Sequence, residues 1–255
     1  MSRRLRQGLL SFGVFGIGLI FLSTLPDLSG LEDRIAPYGE LLDRIAVPER
    51  HATDVVSAVN FDYRAFDTLG EEFILFASVL GIGVVLRRQP DERDEGDAAE
   101  ATGPPAALTS DAVRVLGVGL VGITICFGLY LCTHGQISPG GGFQGGVLLA
   151  TAPVVVYLTA DARTFARVAP VALVKAGEAV GAGGYVLVGL VAFARGAAFL
   201  TNVLPLGRPR DVLSSGTIAV IDLAVGLEVA AAFVLLLLTF VAETLARRLK
   251  RSEME

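Results

Sequence analysis

The strongest constraint in this chain is a series of apolar runs, several of them about as long as a bilayer is thick. A hydrocarbon core about 30 Å thick asks for ~20 apolar residues of helix. Gly8–Leu25 is the first such run, and Phe73–Leu86 is the second, with its helix expected to begin near Thr68. Val113–Cys132, Phe143–Thr159, Lys175–Phe199 and Thr217–Ala242 follow. Six crossings put both termini on one side. A short apolar stretch at Asp54–Phe61 is too brief to cross and reads as an outer-surface or partly inserted helix. The fold class expected is all-α and polytopic.

Positive charge orients the crossings, because Lys and Arg gather on the cytoplasmic side. Arg3, Arg4 and Arg6 precede the first run; Arg87 and Arg88 close the second; Arg163 and Arg167 separate the fourth and fifth. Arg247, Arg248, Lys250 and Arg251 follow the sixth. All fall on one side of a six-span chain, with Arg208 and Arg210 as exceptions. Both termini are therefore expected in the cytoplasm, and Pro26–Arg50 becomes an outer loop. The arginines before Gly8 resemble a signal-peptide start, but no small-residue cleavage pattern follows. The first run is read as a retained helix.

Composition agrees. Hydrophobic residues make up 53% and charged residues 18% of the chain, against about 45–50% and about 25% in ordinary soluble domains. The formal net charge of −5 argues against a nucleic-acid partner, which selects basic surfaces. Cys126 and Cys132 sit six residues apart in one apolar run, poor geometry for a disulfide. His51 and His134 belong to no metal-ligand pattern. No cofactor is expected. With no nucleophile–base pair or redox motif, the chain is not expected to be an enzyme by itself.

Residues 89–110 are charged and then rich in Ala, Gly and Pro, too polar to bury a core. They read as a cytoplasmic linker between a two-span unit, 1–88, and a four-span unit, 111–246, followed by a short charged tail, 247–255. Ser110 or Asp111 is placed to cap the helix after the linker. No internal repeat is visible.

Between the third and fourth runs lies His134-Gly-Gln-Ile-Ser-Pro139, followed by Gly140, Gly141, Gly142, Phe143, Gln144, Gly145 and Gly146. A phosphate-binding loop would end in Lys-Ser/Thr after a strand, and neither is present. Pro139 and the glycines suit a tight turn opening a helix. Faces without side chains let neighbouring helices approach closely. A polar route past His134 and Gln144 is the other reading.

The stretch HGQISPGGGFQGGVLLA resembles the signature of the B subunit of Mrp-type multisubunit Na⁺/H⁺ antiporters and of the equivalent subunit of membrane-bound hydrogenase complexes. The resemblance covers roughly 111–246 and includes VGLEV at Val225–Val229. Ala58–Arg88 resembles the C-terminal part of the large A-type component of the same antiporters. That part's acidic–Arg–aromatic–Asp-Thr-Leu-Gly-Glu core is matched by Asp62, Arg64, Phe66, Asp67, Thr68, Leu69, Gly70 and Glu71. The outer loop at 26–50 and Glu72 depart from the pattern. The resemblance implies a component of a bacterial or archaeal cytoplasmic-membrane complex. Its partners would be other antiporter-complex membrane subunits related to respiratory complex I, the lipid bilayer, and Na⁺ and H⁺. The alternatives are a redox-driven complex and a purely structural subunit.

A charged side chain at the bilayer centre costs about 2.5–3.5 kcal/mol on insertion scales, so acids inside spans need a partner or a task. The ion-path candidates are Asp62, Arg64, Asp67, Glu71, Glu178, Asp222 and Glu228. Asp67 and Glu71 share a helix face at i, i+4, with Arg64 available to clamp them. Glu228 sits near the middle of the last span. Asp222, six residues earlier, lies about 120° around the helix and faces a different seam. Lys175 and Glu178 are spaced for a local ion pair. Arg195 is expected to snorkel or to pair with an acid of the last span.

Overall fold

A computed structural model describes residues 3–28, 37–86, 110–160 and 162–252. The linker at 89–110, apart from Ser110, and the last three residues of the tail lie outside them. The regular structure of the described residues is helical, in the order α1 (Arg3–Leu28), α2 (Pro37–Arg50), α3 (Val55–Ala58), a π turn (Val59–Tyr63), α4 (Ala65–Val85), α5 (Asp111–His134), α6 (Gly142–Thr159), α7 (Ala162–Val168), α8 (Val171–Ala194) and α9 (Thr217–Ser252). Five of them, α4, α5, α6, α8 and the Thr217–Val241 part of α9, are long and apolar enough to cross a membrane. In α1 the shorter apolar stretch Ser11–Ser23 stands out.

Contacts divide the chain into Met1–Arg44 and Ile45–Glu255. The first unit contains α1, an apolar helix whose side chains at Phe12, Phe15, Ile17 and Phe21 are exposed. It also holds the first part of α2, where Arg44 pairs with Glu40 one turn before it. The expected outer loop at 26–50 is thus largely helical: α1 runs to Leu28, and α2 fills Pro37–Arg50. Pro37 at a first helical position explains that start, since its missing N–H is unneeded there.

In the second unit α9 packs on α8 and α6, α6 packs on α5, and α4 lies against α8 and α9. Glycine sets these separations. A Cβ on Gly145 of α6 would overlap Cys132 and the backbone of Gly128 in α5, and one on Gly146 would sit 2.7 Å from the Gly226 carbonyl of α9. On α8, Gly177 and Gly181 recur at i, i+4; a Cβ on Gly181 would reach 2.5 Å from the Glu228 amide nitrogen. Small residues at this spacing are what close helix approach in lipid requires. The close-packing expectation for the glycine loop therefore describes Gly142, Gly145 and Gly146, all buried.

Local signals set the helix ends. Ser110 caps α5, its hydroxyl accepting from the Val113 amide at 3.4 Å. Asn202 caps α9, its Oδ1 accepting from the Thr217 amide at 2.9 Å. The fifth span differs from Lys175–Phe199: it starts at Val171 and stops at Ala194. Left-handed residues at Gly196 and Leu200 then turn the chain back, so that Phe199 lies over Gly189. Arg195, at the end of α8, donates to the Val203 carbonyl at 3.1 Å rather than to an acid.

The connections at this end are stitched together. The Gln136 carbonyl accepts from the amides of Thr53 and Asp54 at 3.0 and 3.2 Å. The buried Gln136 side chain donates to Val212 at 2.7 Å. Asp54 caps α3, and Ser57 donates to the Gly135 carbonyl at 2.7 Å. The Asp54–Phe61 segment is thus partly inserted: Val56 and Asn60 are exposed while Ser57, Ala58 and Phe61 are buried. Ala58 and Phe61 are buried in the main core with Ala65, Leu69, Tyr185, Ile218, Ile221 and Val225.

Candidate ion-path site

The acids separate into three places. At the bundle end, Asp62 has its side chain only 7% exposed and accepts from Arg50 Nε at 2.6 Å. Arg50 also covers the Tyr63 ring at 5.1 Å from its centre. The Tyr63 hydroxyl donates to Glu49 at 3.1 Å, and burial followed by that hydrogen bond pushes its pKa up to about 12. Arg64 pairs with Asp67, Nη2 to Oδ2 at 2.5 Å, with both side chains more than half exposed. Arg64 therefore clamps Asp67 alone and does not bridge it to Glu71. These pairs line a cavity of about 560 Å³ with Phe199 and Asn202. A solvated pair of this kind contributes at most about 1 kcal/mol. The Arg50 partner lies twelve residues from Asp62, beyond the reach of a local pattern.

Asp222 occupies the second place, against the glycine loop. Its Oδ1 accepts from the Gly142 amide at 2.6 Å, across 80 residues of sequence. The first amide of α6 is otherwise an orphan donor, and a carboxylate at a helix N-terminus is favoured by the dipole. Oδ2 has no hydrogen-bond partner and abuts Gly135, where a Cβ would overlap it. Gly140 and Gly141 carry φ of 156° and 113°, a region that favours glycine. Pro139 precedes this turn, and Phe143 points outward, 47% exposed. His134 stacks on Tyr130 at 4.3 Å, with Nδ1 3.0 Å from the Thr133 hydroxyl.

Asp222 thus acts as a cross-helix cap. Replacing Asp222 with Ala is expected to cost about 1–3 kcal/mol by orphaning a buried donor, while Asp222→Asn keeps an acceptor and most of the stability. The unfolding midpoint of the purified chain in detergent measures both. Normal transport by the Asn variant would mark the carboxylate as structural.

The third place is the centre of the bundle. Glu72, Glu178 and Glu228 come from α4, α8 and α9 and are 5%, 4% and 0% exposed. The Glu72 and Glu228 carboxyl groups lie within hydrogen-bonding reach, and Glu178 is an electrostatic neighbour of Glu228. Neither Glu228 oxygen has a hydrogen-bond partner, and neither has Glu72 Oε2. Gly181 makes the arrangement possible by bringing the α8 backbone against Glu228 three residues after Glu178. Lys175 acts on Glu178 electrostatically, but no ion pair joins them among the described residues.

The three carboxyls form a ladder. At 1.5 Å per residue, Glu72 lies about 10 Å and Glu228 about 16 Å from the glycine-loop end of their helices, and Glu178 lies about 24 Å from that end of α8. Beside the first rung is a cavity of about 300 Å³. Glu71, Asn60 and Gln144 line it as exposed residues, and Glu72 lines it as a buried one. Of the two polar side chains singled out in the glycine loop, Gln144 lines this cavity and His134 does not. The π turn shapes the cavity wall: the Arg64 amide donates to the Val59 carbonyl at 2.8 Å, five residues back, a widened turn frequent at functional sites.

Glu72 escapes a reading by motif because Glu71 completes the family pattern. The signal is its spacing. Ala65, Thr68, Leu69, Glu72 and Val79 are the buried stripe of α4, the i, i+3, i+4, i+7 pattern of a core-facing helix, and Glu71 lies off it.

Known proteins share parts of this sequence and its fold. A family model described as a domain related to the MnhB subunit of Na⁺/H⁺ antiporter matches residues 112–250. An uncharacterized protein of Methanocaldococcus jannaschii is 28% identical over 194 residues, 69% of this chain and 72% of that protein. The A/B subunit of a probable K⁺/H⁺ antiporter of Rhizobium meliloti is 28% identical over 176 residues, 63% of this chain and only 17% of that much longer protein. Among solved structures, a chain of an archaeal membrane-bound sulfane sulfur reductase matches with TM-score 0.66 and 25% identity, over 93% of this chain and 98% of that one. A chain of the Mrp complex from a Dietzia species matches in fold with TM-score 0.67 and 22% identity, over 95% of this chain and 26% of that one.

Proposed function

Since this chain belongs to the family of domains related to the MnhB subunit of Na⁺/H⁺ antiporters, whose model covers more than half of it, we propose that it lends a multisubunit monovalent-cation/proton antiporter a carboxylate path through the membrane. The observation that carries this is the set of buried acids Glu72, Glu228 and Glu178, drawn from three spanning helices and each with a carboxyl oxygen that has no hydrogen-bond partner. A purely structural seam would favour apolar side chains there, because buried acids without donors are costly. A proton relay needs titratable groups in steps. The chain moves ions and converts no substrate of its own.

The path runs from the cavity at Glu72, through Glu228, to Glu178 and Lys175 near the start of α8. Orientation follows from charge: the helix ends near Arg167 and Arg247 face the cytoplasm of a bacterium or archaeon. The cavity then opens outward and Glu178 serves the cytoplasmic side. The A/B naming of the Rhizobium relative fits a chain joining a B-type unit to a segment of the A-type component. The partners are the remaining membrane subunits of the antiporter. The full-length match to a chain of the sulfane sulfur reductase favours a second setting, in which the same path serves a redox-driven complex. Proteins co-purifying with the chain decide between the two.

Glu178→Gln tests the path. In inverted vesicles carrying the assembled complex, cation-driven proton movement is expected to fall to the background of vesicles without it, while assembly is retained. Undiminished transport by that variant would remove the path and leave a structural subunit.

A further inference from the structure

The cavity of about 560 Å³ at the bundle end is not part of the path above. It lies where α4 begins and just past the end of α8. For helices that cross a bilayer, that is the level of the lipid headgroups. Its volume is ordinary for a ligand pocket, about 300–1,000 Å³. The charged residues lining it are Arg50, Arg64, Asp62 and Asp67, so the lining is neutral overall. Yet both signs have capacity to spare. Asp62, its side chain 7% exposed, gives Oδ1 to Arg50 and has no hydrogen-bond partner at Oδ2. A guanidinium carries five N–H donors, and Arg64 turns only Nε and Nη2 toward Asp67. We propose that this cavity binds the headgroup of a phospholipid with a primary amine, a phosphatidylethanolamine, its ammonium donating to Asp62 Oδ2 and its phosphate accepting from Arg64.

Charge selects this headgroup. A lone cation would answer Asp62 and be repelled by the arginines; a lone anion would meet the reverse. A neutral lining with separated charges suits a ligand that is itself neutral with separated charges. Phosphoglycerol brings a phosphate and no cation. Phosphocholine brings both charges, but its quaternary nitrogen has no N–H, so Asp62 Oδ2 would stay unpaired at a cost. The ammonium of phosphoethanolamine has three N–H groups, and its hydrogen bond to a carboxylate is of the strong, charge-assisted kind.

The surface leading away from the cavity fits the rest of a lipid. Phe66 lines the cavity and also heads a stripe down α4: Phe66, Gly70, Phe73, Ala77, Leu80 and Val84, at i, i+4, i+7, i+11, i+14 and i+18. Phe66, Phe73, Leu80 and Val84 are 72%, 46%, 50% and 71% exposed, and Gly70 and Ala77 are exposed too. The stripe carries no charge. A Cβ on Gly70 would meet nothing within 4 Å, so between the two phenylalanine rings the helix offers a shallow dip. One leaflet is about 15 Å of hydrocarbon, about ten residues of helix, which takes an acyl chain from Phe66 to about Ala77. The polar cavity and the apolar track are continuous through Phe66, and a free solute would use only the first.

The test is photolabelling of the purified intact complex in detergent. The probe is a phosphatidylethanolamine with a diazirine in one acyl chain, and labelled peptides are mapped by mass spectrometry. The readout is the label on α4 that excess unlabelled phosphatidylethanolamine removes; it is expected between Phe66 and Ala77. Phosphatidylcholine and phosphatidylglycerol with the same chains should need about tenfold more to remove it, the worth of one hydrogen bond to a charged group. Asp62→Asn keeps Oδ1 for Arg50 and puts an NH₂ in place of Oδ2; it should bring the ethanolamine and choline lipids level. Arg64→Gln changes a side chain 58% exposed, so it guards against an Asp62 variant that fails to assemble. It should weaken competition by both lipids alike. No displaceable label on α4, equal competition by the two lipids in the wild type, a preference that survives Asp62→Asn, or competition unchanged in Arg64→Gln would each overturn the proposal. So would displacement by water-soluble glycerophosphoethanolamine at the same concentration as the lipid, which would make the cavity a site for a small solute.

Discussion

Glu228→Gln is expected to leave the complex assembled and to reduce coupled transport about a hundredfold. The side chain is fully buried, and its replacement keeps shape and volume. The new amide can donate to the Glu72 carboxylate, so the substitution should not unfold the bundle. What disappears is the middle rung. A proton then has to pass from Glu72 to Glu178 without a carboxylate between them, a gap of about 14 Å along the helix axes. An uncompensated charge at that depth costs about 2.5–3.5 kcal/mol, and each 1.36 kcal/mol slows a step about tenfold. Glu228→Asp keeps the titratable group one methylene short and should recover part of the rate. The measurement is cation-driven quenching of a pH-sensitive dye in vesicles, normalised to the amount of assembled complex. Equal loss in the Gln and Asp variants would point to a packing defect; full activity in both would take Glu228 off the path.

The spans are legible in the sequence because the signal is a length. A run of about 20 apolar residues has few uses outside a bilayer, and the long helices appear where those runs lie, with ends displaced by a few residues. The displaced ends have local causes: α8 stops at Ala194 because Gly196 and Leu200 adopt left-handed backbone, which hydropathy does not register. Glu228 and Glu178 are legible as acids inside apolar runs. That they converge is not, because the convergence depends on Gly181 pressing α8 onto α9, a contact between residues 47 positions apart in the sequence. Asp222 is a similar case. Its charge stands out in the sequence, but its partner is a backbone amide in α6, and any residue offers an amide. Glu72 is within reach of helical periodicity and is hidden by its neighbour.

Gly146→Leu is the other change with a large expected effect, and its effect is on the fold. A Cβ alone at this position would sit 2.7 Å from the Gly226 carbonyl oxygen, 2.8 Å from the Val229 Cβ and 3.1 Å from the Ala230 amide nitrogen. Two of the three obstacles are backbone, which no rotamer change can remove. The remaining atoms of leucine force α6 and α9 apart. Overpacking a side-chain core costs about 1–3 kcal/mol; with backbone on both sides the cost should reach or exceed the top of that range. Separation of α6 and α9 also draws Gly142 away from Asp222 and loosens the loop beside the cavity, so transport and stability fall together. Gly183→Leu is the control. It changes the same residue type in another spanning helix, at an exposed position with nothing within 4 Å of a new Cβ. The chain with Gly146→Leu is expected to be depleted from membranes and to elute as aggregate in mild detergent, while Gly183→Leu accumulates and elutes as the wild type does. Equal behaviour of the two variants would mean that close approach of α6 and α9 does not hold the bundle together, and that the glycines after Pro139 serve the turn alone.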